Sequence, residues 1–283
     1  MRKLFFSISL LALIGYVNGQ YWFGVKGGVN LIDHVYQDSF YEDTLFNVGV
    51  DLNYQFGLAA SYSASDKYSV YGELQFERIN KKVTDQLTDG ALATTEMTNF
   101  FLTVPIMLRI NFGYGAVRYY LNGGPRLSYW LAGKGSLSLE EFEEFAPAGR
   151  DEDNNALPVN YKIRFNSSNA SPTNPNTAFV ADPNRVQFGL AAGAGATFDL
   201  YNGNRLMADF RFNWVHSSMA TNSDNDVNLE QVNYRENLEY YHNIATFSIG
   251  YFFEFDKRLR LKGKSSNELT KKKPKRNRAR RPG

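Results

Sequence analysis

The stretch that decides the fold is Arg185-Val-Gln-Phe-Gly-Leu-Ala-Ala-Gly-Ala-Gly-Ala-Thr-Phe-Asp-Leu-Tyr201. Every second residue is apolar: Val186, Phe188, Leu190, Ala192, Ala194, Ala196, Phe198 and Leu200. Between them stand Gln187, Gly189, Ala191, Gly193, Gly195, Thr197 and Asp199. A period of two means an extended strand with two unlike faces. Asn243–Phe255 repeats the pattern, with Ala245, Phe247, Ile249, Tyr251, Phe253 and Phe255 against Thr246, Ser248, Gly250, Phe252 and Glu254. Phe100–Phe112 sets Leu102, Val104, Ile106, Leu108 and Ile110 against Thr103, Pro105, Met107, Arg109 and Asn111. Val117–Leu131 sets Tyr119, Leu121, Leu127 and Tyr129 against Arg118, Asn122, Arg126 and Ser128.

Outward from these, eight alternating segments can be placed, at 21–33, 46–63, 68–82, 98–112, 116–133, 184–200, 205–217 and 241–255. Strands of globular sheets average about 5–6 residues, whereas a strand crossing a bilayer needs about 9–11. The gaps alternate in length. Ser65–Lys67, Gly113–Gly115 and Tyr201–Asn204 are tight, and the last holds the hairpin pair Asn202-Gly203. His34–Leu45, Val83–Met97, Lys134–Pro183 and Ser218–Tyr240 are long and polar. Short turns at one end and long loops at the other describe a bacterial outer-membrane barrel. Lipid requires that such a sheet close, so that every backbone group pairs. A soluble β-sandwich or a lipocalin-like barrel also alternates, but it buries its apolar face. Here the apolar face runs unbroken, with Tyr21, Trp22, Tyr62, Tyr68, Phe112, Tyr201, Phe253 and Phe255 near strand ends as an interfacial girdle. The expected fold is all-β, an eight-stranded antiparallel transmembrane barrel with long outer loops and short periplasmic turns.

The remaining segments fit that placement. Arg2 and Lys3 precede the apolar run Leu4–Val17, with Val17 and Gly19 before Gln20. This reads as a signal peptide over 1–19. The barrel then covers 20–255 and a basic, disordered segment 256–283. The formal charge of +2 conceals a division. Residues 20–255 net −11, while 256–283 carry 13 Lys/Arg against two acids and net +11. The chain has no Cys, which excludes disulfides, thiolate metal sites, Cys nucleophiles and a lipoprotein anchor.

The polar strand face should line the lumen. It carries Glu73, Glu77, Arg109, Arg126, Asp209 and Arg211, and also Asp51, Arg118 and Asp199. Eight strands enclose a space just wide enough for side chains to fill, so these groups are expected to plug the lumen as a network of charge pairs. An enzyme of the lipid A-modifying kind would need a nucleophile, a base and an oxyanion site. His216-Ser217 offers two of them, but His216 falls on the apolar face, and no third member can be placed. The expected protein is non-enzymatic, with no cofactor and no metal. The long loop is acidic, and its stretch Ser138–Phe145 could form a short amphipathic helix. It lacks an Asp-x-Asp-x-Asp-Gly calcium loop. The basic segment presents Lys271, Lys272, Lys273, Lys275, Arg276, Arg278, Arg280 and Arg281. In the periplasm its counter-surfaces are acidic periplasmic proteins, peptidoglycan or anionic headgroups, not nucleic acid.

Five pieces in order resemble the PorT-like outer-membrane β-barrel family of the Bacteroidota, an OmpA/OmpX-like architecture. They are Phe23-Gly-Val-Lys-Gly-Gly-Val-Asn-Leu31, Ser65-Asp-Lys-Tyr-Ser-Val-Tyr-Gly-Glu-Leu-Gln-Phe76, Leu102-Thr-Val-Pro-Ile-Met-Leu-Arg109, Gly123-Gly-Pro-Arg-Leu-Ser-Tyr-Trp-Leu131 and Phe188-Gly-Leu-Ala-Ala-Gly-Ala-Gly195. The resemblance implies the outer membrane and an accessory role in the type IX secretion machinery, which also serves gliding motility. The fifty-residue loop and the basic segment stand outside the family pattern. A structural or adhesive barrel presenting the acidic loop is the alternative. Pro105 and Pro125, matching the family's own prolines, are expected to mark bulges.

Overall fold

The computed structural model describes residues 20–36, 46–48, 51–86, 92–139, 159–165, 177–180, 183–201, 203–220, 227–229, 234–236 and 238–255. The signal segment 1–19, the basic segment 256–283 and the acidic stretch 140–158 lie outside the described residues.

Eight long strands form the wall: β1 (Gln20–Tyr36), β2 (Asp51–Ser63), β3 (Tyr68–Gln86), β4 (Leu92–Phe112), β5 (Val117–Leu139), β6 (Val186–Asp199), β7 (Arg205–Val215) and β8 (Tyr240–Phe255). Each pairs antiparallel with the next in sequence, and β1 pairs with β8 from Tyr21↔Phe255 to Tyr36↔Tyr240, so the sheet closes on itself. Closure leaves no open edge within the wall, which a hydrocarbon medium demands because it offers no hydrogen bonds.

Alternation sorts the two faces as the sequence implies. Leu52, Leu58, Leu108, Phe188, Leu190, Phe210, Ile249 and Phe253 are exposed on the outside. Lys26, Glu73, Gln75, Glu77, Thr103, Arg109, Asn122, Arg126, Asp209 and Arg211 are buried inside. Short turns at one end use Gly113 (φ 89°), Gly115 (φ 90°) and Gly203 (φ 80°), where the left-handed backbone favours glycine. That end also carries Gln20 and Phe255.

Several details differ from the sequence expectation. The gap placed at Val83–Met97 is mostly strand, because β3 and β4 stay paired out to Gln86↔Leu92. Their outward face is polar, with Lys82, Thr94, Glu96 and Thr98, and that polarity mimics a loop. Ser138 lies in β5 and not in a helix, while the rest of Ser138–Phe145 is largely outside the described residues. Strand lengths are unequal: β3, β4 and β5 have 19, 21 and 23 residues, against 11 in β7. One side of the wall therefore rises past the lipid, and Val159–Phe165 pairs with the top of β5 there.

The prolines do not mark bulges. Pairing keeps one register past Pro105 (Pro105↔Arg126, Leu108↔Gly123) and past Pro125 (Gly124↔Ala191, Pro125↔Leu190). The shift falls instead at Phe100/Phe101, which face Ala132 and Trp130 and leave Leu131 as the inserted residue. One inserted residue swaps the faces. Below it Arg126, Ser128 and Trp130 are buried; above it Gly133 and Leu137 are.

A close approach explains one glycine of β6. A Cβ on Gly195 would stand 2.3 Å from the hydroxyl of Tyr120, so the missing side chain makes room for that ring.

Ile249 sits mid-way along the lipid-facing row of β8. Ile249→Lys is expected to lower unfolding stability in lipid by about 2–4 kcal/mol. Urea titration of the refolded barrel in vesicles measures this, and an unchanged midpoint would contradict the lipid-facing assignment.

Candidate functional site

The lumen is layered along its axis. At the end opposite the short turns, Ile32, Ile79, Met97, Phe101, Trp130, Leu137 and Ile244 belong to an apolar cluster joined by Tyr161 and Ile163 of the rising side. His34 and His242, cross-strand partners on β1 and β8, are buried there with ring centroids 5.0 Å apart. Lys81 lies over the Tyr240 ring at 3.8 Å.

Below it comes a polar layer. Arg126 pairs with Glu77, which also accepts a 2.9 Å hydrogen bond from Thr103. Ser128 Oγ donates to Thr103 Oγ1 at 3.0 Å, and Thr246 Oγ1 to Asn30 Oδ1 at 2.9 Å.

The next layer is a four-charge cluster. Lys26 Nζ donates to Glu73 Oε1 and to Asp209 Oδ2, both at 2.7 Å. Arg211 grips Glu73 through Nη1 (2.9 Å) and Nη2 (2.8 Å), and its Nη2 also reaches Asp209 at 2.8 Å. Tyr120 closes the remaining Asp209 oxygen at 2.8 Å. Two cations and two carboxylates cancel within this shell. Buried charge is tolerable only with such pairing and hydrogen bonding.

Glu73, Asp209 and Arg211, placed on the lumen face from the sequence, thus converge. Glu77 and Arg126 form a separate pair. Arg109 joins neither cluster: its guanidinium is sandwiched 4.0 Å from the Tyr71 ring and 3.9 Å from the Tyr120 ring, with Nη2 3.4 Å from Met207 Sδ. Asp51 lies on β2, its side chain outside the described residues. Lys26 was missed. The signal existed, since the alternation of Phe23, Val25 and Val29 puts Lys26 on the inner face, but the strand reads first as a family motif.

At the short-turn end Asp199 bridges two cations, Arg118 Nη2 at 2.5 Å and Arg205 Nε at 2.6 Å. Arg205 stacks over Trp22 at 3.9 Å. Trp22 is buried in the lumen, so it is no part of a lipid-side girdle. Parity decides against its aromatic character, because Trp22 shares the inner face with Lys26. The Tyr21 and Tyr62 rings, 4.9 Å apart on neighbouring strands, are where a girdle belongs. The two residues weighed as an enzyme pair, His216 and Ser217, follow directly on β7. His216 is exposed, and the Ser217 hydroxyl accepts the Phe188 N–H at 2.9 Å.

The family model described as "outer membrane protein beta-barrel domain" matches residues 18–215. The chain belongs to this family. As an outer-membrane β-barrel protein, it resides in the outer membrane of a Gram-negative cell and contacts its lipid. Among solved structures, it is similar to the outer membrane protein OprG from Pseudomonas aeruginosa (13% identity, 85% of this chain and 98% of that one, TM-score 0.43). It is also similar to a major outer membrane protein from Thermus thermophilus (11% identity, 84% and 100%, TM-score 0.41). The attachment invasion locus protein Ail of Yersinia pestis, solved with the heparin analogue sucrose octasulfate, is a further one (13% identity, 83% and 99%, TM-score 0.34). No curated protein matches the chain.

Removing one member of the cluster leaves an uncompensated buried charge. Glu73→Ala is expected to cost about 3–5 kcal/mol of stability, while Lys82→Ala, in an exposed pair with Glu96, costs at most about 1 kcal/mol. Parallel denaturant titrations compare the two, and equal costs would show that the cluster carries no special weight.

Proposed function

We propose that this barrel is a non-enzymatic platform that holds a periplasmic docking segment at the outer membrane. The observation that carries the reading is the packed lumen. Apolar and polar layers and a self-neutralised charge cluster occupy the space in which a channel would run. A barrel filled in this way works through what it displays. We place residues 1–19 as its export signal and 256–283 as its periplasmic segment. Short turns of such barrels face the periplasm, and Phe255, the last residue of β8, ends beside them. The lysines and arginines Lys271 to Arg281 then face the periplasmic space, where acidic protein surfaces, peptidoglycan or anionic headgroups can receive them. Within the family we group the chain with the PorT-like members, on the five ordered motifs. A role beside the type IX secretion or gliding machinery follows from that grouping.

A second reading has its own support. The tall side formed by β3, β4 and β5 lifts a sheet clear of the lipid, which suits a structural or adhesive barrel that presents its outer loops.

Deletion of 256–283 separates the two. Under the docking reading the truncated barrel still inserts, but cross-linked periplasmic partners and the associated secretion or motility phenotype are lost. Retention of both turns the assignment to the adhesive reading. In planar bilayers the purified barrel is expected to show no large, stable conductance; such channels would end the platform reading.

A further inference from the structure

The short-turn mouth of the barrel is not packed like the rest. A vestibule of about 750 Å³ opens there between Trp22, Phe112, Tyr114, Lys67, Asn204 and Glu254. It continues into a narrower floor through Arg118, Arg205, Asp66 and Asn111, which line both spaces. The floor proper is set by Arg109 with Ser61, Ser63, Ser69 and Thr197, and its free volume is only about 10 Å³. That is room for about one water-sized group.

The charges of the floor do not cancel. Arg118 and Arg205 share the single carboxylate of Asp199. Among the described residues Asp66 is the one acid of the floor lining, and its backbone carbonyl accepts from Asn111 Nδ2 at 3.2 Å. Arg109 is buried, its contacts are the two tyrosine rings and a thioether, and its Nε has no hydrogen-bond partner among the described residues. Three guanidinium groups against two carboxylates leave one unit of positive charge at the base of an open cavity. A buried cation without a paired anion is costly, and a bound negative group would offset that cost.

We propose that the mouth binds the carboxylate end of a periplasmic peptide segment, with the carboxylate on the floor beside Arg109 and the body in the vestibule. Charge selects this chemistry. A carboxylate brings one negative charge, which matches the one unit in excess; a phosphate dianion would overshoot it and face Asp199 and Asp66. A floor that admits about one water-sized group can take a single carboxylate oxygen, the carbon and second oxygen staying in the vestibule. The vestibule carries aromatic faces, a lysine, an amide and a carboxylate, which suit a peptide backbone and its side chains. Capture of a terminal carboxylate by clustered donors is an established mode of peptide recognition. The basic segment that follows Phe255 has the wrong sign for this floor. The inference rests on the platform reading only for the periplasmic source of the peptide. Binding at the mouth does not require residues 256–283, so the two ideas fail separately.

The test titrates the full-length refolded barrel in nanodiscs with trialanine, its C-terminal amide and inorganic phosphate, following Trp22 fluorescence against a Trp22→Phe control. Saturable binding of trialanine is expected, about tenfold or more weaker for the amide, since a charge-assisted hydrogen bond is lost, and no saturation with phosphate. Arg109→Gln should weaken trialanine binding to a similar degree. Because Arg109 is packed between rings, Ser63→Glu serves as a second variant. It adds a negative charge at the half-buried floor without disturbing the buried layer, and folding of both is checked by heat-modifiable gel mobility. Equal binding of acid and amide, preference for phosphate, absence of binding, or affinity unchanged in folded Ser63→Glu would each overturn the proposal.

Discussion

Hydrocarbon offers no partner for a backbone N–H or C=O, and this one deficit organises the molecule. Every strand within the lipid must satisfy its neighbours on both sides, so the sheet has to return to its first strand. The pairing of β1 with β8 over sixteen consecutive positions, from Tyr21↔Phe255 to Tyr36↔Tyr240, is that return. Once the ring is fixed at eight strands, the interior is narrow and the period-two alternation becomes a division between two solvents. Outside, leucine and phenylalanine meet lipid. Inside, glycine, serine and charged groups meet one another.

The narrowness explains the choice of interior residues. Lumen side chains from opposite walls reach each other, and each layer must be filled or paired. Glycine stands where a neighbouring ring needs the space, as Gly195 does for Tyr120. Arginine is useful in such a place because its flat face stacks on aromatics while its edge binds carboxylates. Arg109 uses the face and Arg211 uses the edge. The layers therefore differ in kind: apolar at the outer end, neutral by pairing in the middle, and positively charged by one unit at the inner mouth.

Most of the wall could be read from the residue pattern, because parity along a strand reports which way a side chain points. Parity assigns Phe188 outward and Asp209 inward without further knowledge. What parity lacks is height. The tilt of strands in a barrel decides which inward residues share a level, and that tilt is a property of the closed ring. Hence Glu73 and Arg211 fall on the same face by parity, but nothing local to either shows that they meet while Arg126 meets Glu77. Composition misleads in three places. Trp22 resembles a girdle residue, the polar ends of β3 and β4 resemble a loop, and the prolines resemble bulges, whereas the actual insertion at Leu131 has no distinctive residue type. The mouth is invisible for the same reason as the cluster, since Arg109, Arg118 and Arg205 come from three different strands.

The four-charge cluster has a bearing on the order of assembly. Its members come from β1, β3 and β7, no two of which are adjacent in the ring, and Lys26 and Asp209 are 183 residues apart in the chain. The cluster bridges the seam between the first and last strands. While the sheet is still open, these four charges have no common meeting point, and an unpaired charge in lipid is strongly disfavoured. The Arg211–Asp209 contact lies within β7, but the pairs that join β7 to Lys26 and Glu73 form only when the seam shuts, so closure relieves the cost of the open sheet. The same contacts that fill the finished lumen thus favour the closed ring over half-closed intermediates.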